Sequence, residues 1–103
     1  MDIQKIQSFF QERSVKWSTH CLERMQERDI SREDVYSCVL RGEIIEDYPN
    51  DYPFPSCLIF GHTMQGKVLH TVIGVDGAAA YVITAYYPST DKFEADLKTR
   101  KER

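Results

Sequence analysis

The sequence has no long apolar segment and no disulfide framework. None of its 103 residues belongs to a run of eighteen apolar side chains, the length that a membrane-spanning helix needs. The segment from Met1 to Lys5 lacks the apolar stretch of a secretory signal peptide. Three cysteines, Cys21, Cys38 and Cys57, are odd in number and widely spaced, unlike disulfide or zinc-binding patterns. These absences predict a cytoplasmic protein whose cysteines are small buried residues.

An excess of positive charge, which nucleic-acid-binding domains often carry, is also missing. The 13 lysines and arginines are outnumbered by 16 aspartates and glutamates, so the formal net charge is −3. The imbalance is local, because residues 43–60 hold four carboxylates and no base. A basic groove elsewhere therefore remains compatible with the composition. With 42% hydrophobic and 28% charged residues, the chain is typical of a single globular domain over residues 1–103.

Hydrophobic periodicity predicts helices first and strands afterwards. Three segments have apolar residues at helical spacing, namely residues 2–13, 18–28 and 32–41. Four segments have the pattern of strands, namely residues 43–48, 57–62, 67–75 and 79–87. Ser18 and Ser31 are suitable N-caps for the second and third helices, and Gly42 is expected to end the third helix in the left-handed conformation typical of glycine. Residues 91–97 are predicted to form a last helix. The expected fold is α+β, with N-terminal helices packed on a four-stranded antiparallel meander sheet and a C-terminal helix.

The turn between the last two strands decides which side chains share a face of the sheet. A three-residue turn over 75–77 keeps the mainly apolar odd positions of both strands against the helices. A two-residue turn at 76–77 would mix the odd and even positions. We expect the three-residue turn, which places His70, Thr84 and Tyr86 together on one open face.

The second helix carries a stripe of basic side chains. His20, Arg24 and Arg28 lie four residues apart, and steps of four follow one slanting face of a helix. Two neighbouring guanidinium groups suit an anion such as an RNA phosphate. The alternative is a solvated helix face on which the arginines pair with neighbouring acids such as Glu23 and Glu27. The sequence leaves both interpretations open.

His70 is a candidate for acid–base chemistry, because the usual pKa of histidine lies near neutrality. The alternative is a half-buried histidine that donates a hydrogen bond to a backbone carbonyl. Thr84 and Tyr86 are common strand residues and equally suit packing. The histidines and cysteines show no spacing typical of a metal site, so we expect no metal and no other cofactor.

Two outer segments have both a binding and a packing interpretation. The aromatic side chains of Tyr48, Tyr52 and Phe54 stand among prolines, where they could stack on bases or close one end of the core. The basic residues from Lys98 to Arg103 could contact phosphates or form a solvated tail.

Short motifs between residues 18 and 100 carry a family resemblance. They are His20-Cys-Leu-Glu-Arg24-Met25-x-x-Arg28-x-Ile30-Ser31, Asp34-Val35, Gly42-Glu43-Ile44-Ile45, Tyr52-Pro53-x-Pro55-Ser56-Cys57-Leu58, Leu69-His70, Ile83-Thr84-Ala85-Tyr86-x-Pro88, and Phe93 to Arg100. With these motifs the chain resembles a bacterial family of small domains, domain of unknown function 4258, similar to the BrnT and MqsR toxins and more distantly to RelE.

The resemblance implies a RelE-like fold of the BECR type and metal-independent cleavage of RNA by a toxin of a toxin–antitoxin module. It also implies an antitoxin, encoded by an adjacent gene, as the protein partner. In such cleavage the ribose 2′-OH attacks the adjacent phosphate, a base removes its proton and an acid protonates the leaving 5′-oxygen. A noncatalytic domain of the same fold that binds a protein partner or RNA is the alternative, and the net charge favours it.

The resemblance also implies a role for each matching residue. His70 would be the acid or base, and His20 the second acid or base or a phosphate contact. Arg24 and Arg28 would hold the phosphate. The remaining two side chains, those of Thr84 and Tyr86, would orient the phosphate, and the tyrosine could also take part in catalysis or stack on a base.

Overall fold

The computed structural model describes residues 1–102, so Arg103 at the end of the predicted basic tail lies outside the described residues. The elements, in chain order, are α1 (Ile3–Gln11), β1 (Val15–Trp17), α2 (Thr19–Glu27), α3 (Arg32–Arg41), β2 (Glu43–Tyr48), β3 (Ser56–His62), β4 (Val68–Val75) and β5 (Ala80–Tyr86). The predicted α+β class is confirmed. Across the described part of the chain, no helix has both the length and the apolar character needed to cross a membrane.

The two serine N-caps predicted from the sequence are confirmed. The Ser18 hydroxyl accepts a hydrogen bond from the backbone N–H of Cys21 at 3.0 Å and starts α2. Ser31 and Asp34 form a reciprocal capping box at the start of α3. Such caps satisfy backbone donors that a helix N-terminus leaves unpaired, and each contributes about 1 kcal/mol. The Ser18 cap fixes where α2, and with it the stripe, begins.

The five strands form one mixed sheet in the order β1-β5-β4-β3-β2. Strands β2 to β5 are the expected antiparallel meander. However, β1 adds a fifth strand, which runs parallel to β5 with Val15 opposite Ala80. The prediction of a four-stranded, wholly antiparallel sheet is therefore wrong. Three residues are too few to show an alternating pattern, so periodicity does not reveal β1.

The hairpin between β4 and β5 turns differently from the prediction. Val75 pairs with Ala80, which leaves four residues in the loop instead of three. Ile83 is then the extra residue of a bulge, which reverses the alternation along β5. As a result Val82 and Ala85 both face the core, whereas Ile83 is 45% exposed.

The bulge nevertheless brings the predicted side chains to one face. His70 lies directly opposite Tyr86, and Val72 lies opposite Thr84. Cross-strand partners, and residues two apart on a strand, point to the same face of a sheet. The prediction that His70, Thr84 and Tyr86 share a face is confirmed, although the predicted turn is wrong.

The segment after β5 forms no helix, so the helix predicted for residues 91–97 is wrong. The Asp96 carboxylate accepts hydrogen bonds from two backbone N–H groups that follow it, at 2.9 Å each. A side chain that bonds the nearby backbone in this way competes with helix formation. A bridge between Phe93 and Arg100 closes the segment. This C-terminal segment, residues 91–102, lies over His70, so the face that was expected to be open is covered there.

The main core lies between the helices and the other face of the sheet. Its fully buried members include Ile6, Phe10, Val35, Val39, Ile59, Leu69 and Ile73. All three cysteines are buried and free, as predicted. The backbones of α3 and β3 approach closely, since a Cβ at Gly61 would lie 2.3 Å from the Cys38 carbonyl oxygen.

Gly42 ends α3 for a different reason from the expected one. Its φ of −98° and ψ of −171° are extended, so it does not take the left-handed conformation typical of a helix-ending glycine. A Cβ at this position would lie 2.3 Å from the Cys38 carbonyl oxygen and 2.4 Å from that of Phe60. Close backbone packing therefore explains the glycine.

Candidate functional site

His70 lies at the centre of the shared face and is completely buried. Its Nε2 is 2.7 Å from the carbonyl oxygen of Leu97, and its Nδ1 is 3.2 Å from the hydroxyl of Tyr86. A carbonyl oxygen can only accept a hydrogen bond, so Nε2 carries the proton. In the neutral ring Nδ1 is then an acceptor, and the Tyr86 hydroxyl donates to it.

Aromatic rings surround the imidazole. The ring of Phe93 lies 4.7 Å from it, that of Tyr86 5.3 Å and that of Phe60 6.1 Å, measured between centroids. Burial lowers the pKa of His70, while the hydrogen bond to Leu97 opposes that shift. His70 is therefore neutral near pH 7. The hydrogen bond to a backbone carbonyl is the one expected from the packing interpretation, and the acid–base role stays a prediction.

Tyr86 connects this buried histidine to the surface. Its half-buried ring lines a cavity of about 350 Å³, together with Tyr87, Lys92, Phe93 and Arg100. Burial raises the pKa of the Tyr86 hydroxyl, and the charge of Arg100 opposes the shift. Tyr86 is thus the member of the pair that a ligand in the cavity could reach.

Sequence reasoning missed a group of charged side chains beside His70. The Arg100 guanidinium donates to both carboxylate oxygens of Glu46, at 2.9 and 3.0 Å, and lies over the ring of Phe93. The Tyr48 hydroxyl donates to the same carboxylate. These contacts, with that of Arg100 the largest cause, hold the pKa of Glu46 below its usual value. Segment 43–60 is acidic and the C-terminal tail is basic. This difference in charge is the sequence signal that could have predicted the pairing of Glu46 with Arg100.

Arg28 links α2 to the same face. Its guanidinium donates to the Thr84 hydroxyl at 3.3 Å and to the Ala85 carbonyl at 2.8 Å. Strand β1 covers the edge of β5 only as far as Val82, so Arg28 satisfies a carbonyl on the edge beyond β1. Tyr86 stands two residues from Thr84 on that face, about 7 Å away. Of the three stripe residues, Arg28 thus lies against the part of the sheet that carries Thr84 and Tyr86.

The other two stripe residues stand apart from this group. Arg24 donates to Glu27 at 2.8 Å, as the solvated-face interpretation predicts. His20 is exposed in the first turn of α2, about 12 Å along the helix axis from Arg28. The three stripe side chains therefore do not converge on one small anion. In residues 1–102, no three histidine, cysteine or acidic side chains converge as a metal site would require.

The chain matches the family described as Domain of unknown function (DUF4258) over residues 17–87. The matched range holds His70, Tyr86 and the whole stripe, whereas the C-terminal segment that covers His70 lies after it. No curated protein and no solved structure matches the chain, so the similarity to RelE-like toxins stays a prediction. Since the matched range is more than half of the chain, this protein is a member of the DUF4258 family.

Proposed function

We propose that this domain is a toxin-like, metal-independent endoribonuclease of a toxin–antitoxin module that acts in the cytoplasm. The observation that carries the proposal is the hydrogen bond from the Tyr86 hydroxyl to the buried, neutral His70. It leaves the oxygen lone pairs of Tyr86 directed away from the ring nitrogen, next to the cationic side chains of Lys92 and Arg100. The buried, free cysteines agree with a reducing compartment.

The hydrogen-bond directions support a specific proton path. The Tyr86 oxygen accepts the proton of the ribose 2′-OH while the proton of Tyr86 passes to Nδ1 of His70. The Leu97 carbonyl then stabilises the imidazolium through Nε2–H, and Glu46 supplies a nearby negative charge. The alkoxide attacks the adjacent phosphate and gives a 2′,3′-cyclic phosphate and a 5′-hydroxyl.

Cations around the cavity take the role of phosphate ligands in this proposal. Arg28, at Thr84, and Arg100 flank Tyr86 and oppose the charge that develops on the phosphorane. Both apical oxygens of the phosphorane lie in the cavity beside Tyr86, so the leaving 5′-oxygen takes its proton from the Lys92 ammonium, which lines the same cavity. His20, about 12 Å from Arg28 along α2, is assigned to another phosphate of an RNA strand that follows the helix. Arg24 contacts the next phosphate along that strand once its exposed ion pair with Glu27 opens.

A second candidate function is a noncatalytic domain that binds RNA or a protein partner. The observation that favours it is the complete burial of His70, both of whose ring nitrogens already have hydrogen-bond partners. Arg28 is likewise engaged by β5. In this case the Tyr86–His70 pair only stabilises the fold.

The test is RNA cleavage in the presence of EDTA by the wild type and matched tyrosine variants. Tyr86→Phe should lower the cleavage rate by about 100-fold or more, because the proton acceptor is lost. Tyr81→Phe is the control, since it removes a hydroxyl that bonds Asp76 outside the site. Products of the wild type should carry 2′,3′-cyclic phosphate ends. RNA binding without cleavage by the wild type would establish the noncatalytic function instead.

A further inference from the structure

The outer edge of β1 has the features of a docking site for a peptide strand. β1 is an edge strand of the sheet and, among residues 1–102, pairs only with β5. The Ser14 carbonyl accepts the Ala80 N–H at 3.0 Å, so the backbone groups of Lys16 also point to β5. Those of Val15 and Trp17 point to the open side, where no backbone group of the described residues pairs with them. Unpaired groups on a sheet edge are a template for an added strand.

Apolar cavities flank this edge on both faces of the sheet. On the helix side, Val15, Trp17, Tyr36, Leu40 and Met64 line a groove of about 620 Å³. The side chains of an added strand alternate between the two faces of a sheet. One set of side chains would therefore enter this groove beside Val15 and Trp17.

The second cavity, of about 440 Å³, receives the other set. It lies beside Lys16 and is lined by Tyr52, Phe54, Tyr81 and Ile83. The side chain of Tyr52 is 92% exposed, and Met64 in the first groove is 67% exposed. Large, solvent-exposed apolar side chains that lie close together are typical of surfaces that a partner covers.

The charges around the edge of β1 indicate what kind of partner it would bind. Arg13, Arg32 and Arg41 line the helix-side groove with one acid, Glu33. Lys16 is the charged residue that lines the second cavity. In a chain with a net charge of −3 this is a local excess of positive charge. None of the three guanidinium groups forms an ion pair with a described residue.

Two of these arginines are held in place by aromatic rings. The guanidinium of Arg32 lies 5.7 Å from the centroid of Trp17, and that of Arg13 lies 5.1 Å from the centroid of Tyr36. A guanidinium that stacks on a ring keeps its N–H edges available for carboxylates. We propose that the edge of β1 binds an extended peptide of a partner protein, with a short apolar run flanked by acidic residues, as a sixth strand.

A second copy of this chain fits the edge poorly. Antiparallel pairing of two β1 strands about their centre would place Lys16 opposite Lys16, and like charges directly opposite each other are destabilising. Apolar cavities on both faces also favour a peptide over RNA. The proposal is independent of the endoribonuclease function, because it uses neither Tyr86 nor His70.

The test uses synthetic octapeptides with four central positions varied among valine, isoleucine, leucine, phenylalanine and tyrosine, and two acidic residues at each end. Members that bind should slow hydrogen exchange at the Val15 and Trp17 amides. Arg32→Glu should weaken binding roughly tenfold or more, and Tyr52→Ser should weaken it on the other face. Lys5→Glu, a charge change on α1 that lines neither cavity, should leave binding unchanged. Peptides with lysine ends should not bind.

Several results would overturn the proposal. The first is that no peptide of the pool protects the two amides at saturating concentration. The second is that binding persists in both Arg32→Glu and Tyr52→Ser. Protection that rises with protein concentration without peptide would indicate self-association instead. Competition by oligouridylate at the same two amides would indicate RNA as the ligand. Loss of RNA cleavage in Tyr86→Phe has no bearing on any of these results.

Discussion

The Nε2–H of His70 donates to the carbonyl of Leu97 at 2.7 Å and so ties the middle of β4 to the C-terminal segment. Leu97 has a φ of 58°, a left-handed conformation that costs a residue with a side chain about 1 kcal/mol or more. A buried hydrogen bond of this kind contributes about 1 kcal/mol. The hydrogen bond therefore offsets the strain and fixes the segment over the sheet, which keeps water from the imidazole.

Stability should fall as the pH drops below 6.5. The pKa of His70 is lowered in the folded chain, so the unfolded chain takes up a proton first, from the ordinary value of 6.5 downwards. The contribution of His70 to the free energy of unfolding is therefore fully present above pH 6.5. Below that pH the free energy of unfolding falls by up to about 1.4 kcal/mol per pH unit, until the folded-state pKa of His70 is reached. Urea denaturation between pH 7.5 and 5.5 measures this slope.

A His70→Gln variant is the control for that titration. Glutamine can still bond its neighbours but has no charge to gain, so its slope between pH 7.5 and 5.5 should be smaller than that of the wild type. Glu46 titrates below its usual 4.5 and lies outside the window. Equal slopes in the two proteins would show that His70 is not the group responsible.

Removing Arg28 should destabilise the domain more than removing Arg24. Arg28→Gln leaves the Ala85 carbonyl without its donor and should lower the free energy of unfolding by about 1 kcal/mol. Arg24→Gln breaks a surface ion pair between side chains that are 43% and 62% exposed, which is worth at most about 0.5 kcal/mol. Urea denaturation of the two variants compares them directly. A larger loss for Arg24→Gln would contradict the assignment of Arg28 to the β5 edge.

The difference between these two arginines shows how far the sequence could predict the site. Helical spacing identified the stripe, and strand alternation identified the face that carries His70 and Tyr86. Neither pattern depends on distant residues. Whether Arg28 reaches an acid, a phosphate or a carbonyl depends on where β1 ends beside β5. That three-residue strand has no periodicity by which it could be recognised.

Which residues bury His70 completely was unpredictable for a similar reason. Its partners Phe93 and Leu97 are more than twenty residues away along the chain, in a segment whose acid spacing resembles a helix start. The hydrogen bonds of Asp96 to its own neighbours break that pattern. Local rules predicted the main helices and strands, and they failed where a short irregular segment is fixed by tertiary contacts.

Gly61→Ala should destabilise the packing of α3 on β3. The added Cβ would lie 2.3 Å from the Cys38 carbonyl oxygen, which is backbone and cannot rotate away. The backbones must separate, at a cost of about 1–3 kcal/mol. Gly66→Asn is the control for added bulk, because a Cβ there meets no atom within 4 Å and asparagine is among the residues that adopt a positive φ, here 88°, at the smallest cost. Thermal unfolding of both variants checks the prediction, which fails if Gly61→Ala melts at the wild-type temperature.

Phe93→Ala should raise the pKa of His70 towards its ordinary value. The Phe93 ring is 2% exposed and lies 4.7 Å from the imidazole, so its removal admits water to the histidine. Desolvation is the largest cause of the lowered pKa, and hydration removes it. The variant should lose about 3 kcal/mol of stability, and NMR titration of the imidazole carbon-bound protons follows the pKa. Phe54→Ala, at the cavity beside Tyr81, should leave the titration of His70 unchanged. If His70 has the same pKa in Phe93→Ala as in the wild type, Phe93 does not keep water from His70.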